Sequence, residues 1–235
     1  MSRLVAPARP CGTADGPRAR IIAIVGAARS GRTTLAVALH ARLAAAGRRV
    51  ALVADALGEF RAREGRAPRA TELSAIGDEQ TRCIAAAAHG QELVVADTTA
   101  LWAAVCAEAW FGDRSLYAPA TAAQRHCDLT LLTALDLDGR AGDGTHAPAD
   151  TVDALLRAAL ARARLSFSVV AGHGEARLDA AWRALQRLEG RVSPAGSDVD
   201  DDRAGAPLGR WHCERCGDPD CEHRVLLSPL LARGA

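Results

Sequence analysis

The most constraining stretch of this chain is Ile21 to Leu43, IIAIVGAARSGRTTLAVALHARL. Ile21 to Val25 is a short apolar run that reads as a buried strand. A small-residue loop follows, and then an Ala/Leu-rich segment with helical periodicity. The loop Gly26-Ala27-Ala28-Arg29-Ser30-Gly31-Arg32-Thr33 fits the phosphate-binding pattern G-x-x-x-x-G-K-[ST] except at one position, where Arg32 replaces the lysine. A strand entering a glycine turn and then a helix aims backbone N–H groups and the positive helix end at one point. Gly26 and Gly31 permit backbone angles and close approaches that a side chain would block. Thr33 offers a hydroxyl to Mg²⁺, and the basic residue before it should reach the outer phosphates. The candidate nucleotide-binding residues are therefore Gly26, Ala27, Ala28, Arg29, Ser30, Gly31, Arg32, Thr33 and Thr34. An ordinary glycine-rich turn is the competing reading. It is disfavoured because strand, spacing, Thr33 and helix agree.

A length of 235 residues suits one α/β domain with a small appendage. The net charge of +1 gives no global electrostatic case for a nucleic-acid or membrane partner. No apolar run approaches the about 20 residues that span a bilayer, and the first residues lack the apolar core of a signal peptide. Cys11, Cys83, Cys106 and Cys127 are scattered, whereas the other three cysteines cluster near residue 216. That pattern suits a reducing cytosol and one metal site rather than a disulfide framework. The chain has no lysine, so Arg32 is in part a matter of composition.

Residues 1–19, rich in Pro and Gly, read as a disordered leader, and 20–190 as the nucleotide-binding domain. Further strands are expected at Val50 to Val53, Glu92 to Asp97, Leu129 to Leu135 and Ser166 to Ala171. Helices are expected from Glu72 to Ala88, from Thr98 or Thr99 to about Trp110, from Thr151 to Ala163 and from Glu175 to Leu188. The charged stretch Gly58 to Arg69 reads as a loop or irregular helix, and Asp138 to Ala149 as a mobile loop. This alternation predicts a parallel sheet of about five strands with helices on both faces. Ligands of such sheets sit at the carboxyl ends of the strands. The Gly26 loop, Asp55, Asp97, Asp136 and the Gly172-His173-Gly174 turn all fall there. Asp97 ends an all-apolar run, as in a Walker B strand, and a carboxylate in that place is costly unless it binds something. Arg114 and Arg140 read as surface residues, and Trp102 and Trp110 as core.

Residues 191–210 read as an acidic linker, and 211–235 as a Cys/His tail. Cys213-x₂-Cys216-x₄-Cys221-x-His223 puts four candidate metal ligands within eleven residues. This spacing is read as a structural Zn²⁺ knuckle, with His212 as an alternative ligand. Arg215 and Arg224 alternate with Glu214, Asp218, Asp220 and Glu222, which is not a nucleic-acid footprint. A protein partner for the tail is left open.

Beyond the phosphate loop, the chain resembles the AAA-like P-loop kinase domain of the bacterial NadR family, which phosphorylates ribosylnicotinamide. The likeness covers about Ile21 to Arg187. It is carried by Ala96 to Tyr117 (ADTTALWAAVCAEAWFGDRSLY), by Cys127 to Leu132 with Asp136, by Glu79-Gln80 and by Gly172 to Arg177. The resemblance implies a P-loop NTPase-like fold, ATP and Mg²⁺ as ligands, and a nucleoside substrate. It implies Asp97 serving the metal or the nucleophile, Asp55 as base or substrate clamp, and Gly172 and Gly174 near the adenine. Three positions depart from the family: Arg32 replaces the loop lysine, Gly58 the arginine of E-Y-x-R, and Gly139 the tryptophan of D-x-P-W. The candidate catalytic residues are Arg32, Asp55 and Asp97. Two functions follow as expectations: an ATP-binding nucleoside kinase of weakened turnover, or a nucleotide-binding regulatory or interaction module.

Overall fold

The computed structural model describes residues 18–136 and 147–190. The five apolar runs become β1 (Arg20–Val25), β2 (Val50–Val53), β3 (Leu93–Asp97), β4 (Leu129–Thr133) and β5 (Ser168–Val170). They form one parallel sheet in the order β2-β3-β1-β4-β5. In register, Ile24 of β1 pairs with Asp97 of β3 and Leu131 of β4. The chain winds to one side of β1 through β2 and β3, then crosses to β4 and β5. The carboxyl end of β1 is thus the point where the strand order reverses and where open α/β sheets receive ligands.

After Arg20, β1 is apolar because Ile21 to Val25 are buried on both faces. Ile22 and Ile24 pack with Leu35, Leu39 and Leu43 of α1 (Arg32–Ala45) and with Leu178 and Leu185 of α7 (Gly174–Gly190). Val25 turns to the opposite layer, built on α3 (Ala70–Ala87), α4 (Ala100–Phe111) and α6 (Ala149–Arg162). In α4, residues Leu101 to Ala107 are all buried. That stretch is enclosed by protein all round, and the last turn of the helix reaches solvent, with Phe111 exposed.

The structure departs from the expectations in three places. Asp55 caps α2 (Ala56–Glu64), accepting from the Leu57 N–H at 2.9 Å. The stretch from Gly58 is therefore regular helix as far as Glu64, anchored by buried Leu57 and Phe60. α5 (Tyr117–Gln124) was not expected. Arg18 and Ala19, assigned to the leader by composition, are attached to the domain: Ala19 is buried, and the exposed Arg18 pairs with Asp128 at 2.6 Å. The expected mobile loop lies largely outside the described residues, as do the rest of the leader, the acidic linker and the Cys/His tail. No helix among the described residues is long and apolar enough to cross a membrane.

Candidate functional site

The phosphate-type loop is held from behind by β4. Ser30 Oγ and Thr133 Oγ1 share a 2.5 Å hydrogen bond, and the Thr133 hydroxyl donates to the Val25 carbonyl at 3.3 Å. Gly26 is obligatory here: a Cβ would lie 1.9 Å from Thr133 Oγ1 and 2.7 Å from Ser30 Oγ. Gly31 precedes α1 at φ 78°, a left-handed angle that favours glycine. Ala27 is buried, while Ala28, Arg29, Thr33 and Thr34 are exposed. The first N–H groups of α1 have no acceptor within the helix, and its first turn carries no acid. The loop is thus shaped and charged to receive an anion.

Arg32 does not extend toward the loop's outer edge. Its Nε donates to Asp97 Oδ1 at 2.8 Å, Nη2 to Asp55 Oδ2 at 2.6 Å, and Nη1 to the Gly26 carbonyl at 3.1 Å. The Trp102 ring lies 4.7 Å from the guanidinium carbon. This cation is only 9% exposed, and Asp97 only 5%. Trp102 is core, as expected, and also a wall of the site. Burial pushes the Asp55 carboxyl above its ordinary value, and the Arg32 guanidinium only partly offsets this. The basic residue before Thr33 was expected to reach the outer phosphates; in the structure its side chain engages two carboxylates and the Gly26 carbonyl. Arg32 is committed to two carboxylates because the chain places both strand-end acids within the span of its planar fork.

Gln80 ties these acids' loops together. It accepts from the Ala56 N–H at 2.8 Å and donates to the Thr98 carbonyl at 3.3 Å. Thr98, directly after Asp97, has φ 78°, which strains a β-branched residue, and its buried hydroxyl has no hydrogen-bond partner among the described residues. Thr99 caps α4 and donates to Gln124, which in turn donates to Thr130.

On the other side, the Gly172 turn meets the loop through Arg177. This buried arginine donates through Nε to the Gly172 carbonyl at 2.7 Å, through Nη1 to the Ser30 carbonyl and through Nη2 to Asp136 Oδ1. The Gly172 N–H donates to Asp136 Oδ2 at 2.6 Å. Burial opposes the Asp136 carboxylate, but the Gly172 N–H and Arg177 outweigh it and hold its pKa below the ordinary value. Gly172 and Gly174 adopt φ 93° and 51°. Sequence reasoning gave Arg177 no role. The available signal was an arginine in line with Leu178, Ala181 and Leu185, the apolar stripe of α7.

Gly26 to Thr34, Asp55, Asp97, Gly172 and Gly174 are thus gathered at one sheet edge. Arg114 pairs with Glu108 at 2.5 Å, while Arg140 lies outside the described residues. So do Cys213, Cys216, Cys221 and His223. Among the described residues, no group of three or more His, Cys, Asp or Glu could hold a metal ion.

A family model described as an AAA domain matches residues 21–177. The chain belongs to this AAA-domain family of P-loop NTPases. A search of the curated proteins found no match. P-loop domains generally bind ATP with Mg²⁺. The loop of this AAA domain fits the phosphates, since Gly26 makes a cradle that a Cβ would fill. The acidic half does not fit the metal equally well. Thr33 is exposed, but Asp97 Oδ1 is already held by Arg32.

Proposed function

We propose that this chain is an ATP-binding protein of the NadR-like P-loop kinase type, derived from nucleoside kinases such as those acting on ribosylnicotinamide, with weak or absent phosphoryl transfer. The observation that carries this reading is the placement of Arg32 between Asp55 and Asp97. Gly26 to Thr34 would cradle the phosphates, with the Gly172 turn on the nucleotide's far side. In an active relative, the Asp55 position takes a proton from the attacking sugar hydroxyl. Here that carboxylate is spanned by a guanidinium 2.6 Å away. Losing one transition-state contact worth about 3–4 kcal/mol slows transfer by about a hundred- to a thousandfold. Gly58 and Gly139, where the family carries arginine and tryptophan, further support a relaxed substrate site.

The ion triad equally favours a second reading, a regulatory or interaction module that binds nucleotide without chemistry. In either reading the setting is cytosolic, and the tail of Cys213, Cys216, Cys221 and His223 forms a Zn²⁺ knuckle that metal analysis of the purified protein would reveal. Calorimetric titration with ATP tests binding; no affinity for ATP or GTP would sink both readings. Turnover of ribosylnicotinamide by the parent chain and by Arg32→Lys separates them. Activity gained by Arg32→Lys supports the kinase ancestry, and its absence supports the module.

A further inference from the structure

We propose that the guanidinium of Arg32 takes the place of the divalent cation, so that this AAA domain receives a nucleoside triphosphate in metal-free form. The inference rests on the nucleotide-binding reading and adds the ionic form of the ligand. In a metal-dependent phosphate loop, the cation bridges the strand-end carboxylate to phosphate oxygens, and the loop hydroxyl completes its shell. Here the carboxylate of Asp97 meets Arg32 Nε at 2.8 Å, and that of Asp55 meets Nη2 at 2.6 Å. The third guanidinium nitrogen is fixed by the Gly26 carbonyl at 3.1 Å, and Trp102 covers the group at 4.7 Å. A divalent ion on Asp97 would have to share the carboxylate with a buried cation that it repels.

A guanidinium has five N–H donors in one plane. The three bonds to Asp97, Asp55 and Gly26 leave one further N–H on each of Nη1 and Nη2. Arg32 also belongs to the first turn of α1, directly after the loop. A phosphate on the loop would therefore complete the sequence carboxylate, guanidinium, phosphate. This is the charge alternation that a metal otherwise provides. The exposed Thr33 hydroxyl can then donate to a phosphate oxygen directly. No side-chain ammonium is available for the task, since the chain has no lysine.

The test is calorimetric titration of the full chain with ATP and with its β,γ-imido analogue, in excess EDTA and in excess Mg²⁺. The expected result is binding in both, with dissociation constants within about threefold of each other. A tightening of about tenfold or more by Mg²⁺ overturns the inference while leaving the nucleotide-binding reading intact. Absence of binding in both conditions overturns the two together. A Mg²⁺ response that exists in the parent and vanishes in Asp97→Asn would identify Asp97 as a metal ligand and overturn the inference. Arg32→Lys, whose point charge cannot span both acids, should acquire an Mg²⁺ dependence of about tenfold. If it folds and stays as flat as the parent, Arg32 is not what displaces the metal, and the inference fails.

Discussion

Arg32 is positioned by residues distant in the chain, and this explains both its importance and its illegibility. Its acceptors Asp55 and Asp97 lie 23 and 65 residues away. The local pattern could therefore place the residue but not the direction of its side chain. Arg32→Ala would strand the buried Asp97 and the half-buried Asp55 carboxylates, and removing one partner of a buried ion pair costs about 3–5 kcal/mol. Urea unfolding should register a loss of that order. Gly26, in contrast, was legible, because the loop pattern itself demands glycine. Gly26→Ala should destabilise by about 1–3 kcal/mol through overpacking against Thr133 Oγ1. Combining it with Thr133→Ala should recover part of the loss, since the nearest clash is then removed. A double-mutant cycle by urea unfolding with purely additive losses would disprove that crowding.

Among the elements, strong apolar runs were legible and short, weakly patterned helices were not. β1 to β4 fall within about two residues of their expected bounds: β1, β3 and β4 carry the apolar signature of burial, and the edge strand β2 is a short apolar run between Arg49 and Asp55. α5 buries only Ala120 and Gln124 and contains Pro119, so no stripe announces it. α2 likewise relies on Leu57 and Phe60 amid charge. The N-terminus of α3 shows how such an end is secured. Glu72 accepts from the Arg69 N–H at 2.7 Å and from both Arg66 terminal nitrogens. The Arg66 bonds, then the Arg69 N–H, lower its pKa to about 2. Because the folded value lies below the ordinary 4.5, this stabilisation is complete above pH 4.5 and is lost as pH falls through about 2. Glu72→Gln should flatten that segment of the curve of urea midpoint against pH. Added salt should shrink the difference, since these groups are exposed.

At the scale of the whole molecule, the sheet order decides which strand ends converge, and Arg177 decides how firmly. The order β2-β3-β1-β4-β5 brings the ends of β3 and β4 to either side of the Gly26 loop. Alternating strands and helices made that convergence legible, but not the arginine that locks it. Arg177 joins α7 to three other places in the chain: the Gly172 turn, Asp136 beyond β4, and the Ser30 carbonyl of the loop. Its side chain is 5% exposed, so water cannot replace these bonds. Arg177→Met keeps an apolar stem of similar length but leaves the Ser30 and Gly172 carbonyls without their arginine donor and Asp136 with the Gly172 N–H alone. The expected loss is about 1–3 kcal/mol in urea unfolding, chiefly from the buried carbonyls left without a donor. Arg183→Met, at an exposed position of the same helix, should stay within about 0.5 kcal/mol of the parent. The two variants also separate stability from site geometry. If Arg177 holds the phosphate loop in its binding form, Arg177→Met should weaken ATP at temperatures where the variant is still fully folded, and Arg183→Met should not. An Arg177→Met chain that is destabilised but binds ATP like the parent would show that the loop keeps its shape from β1, Thr133 and α1 alone.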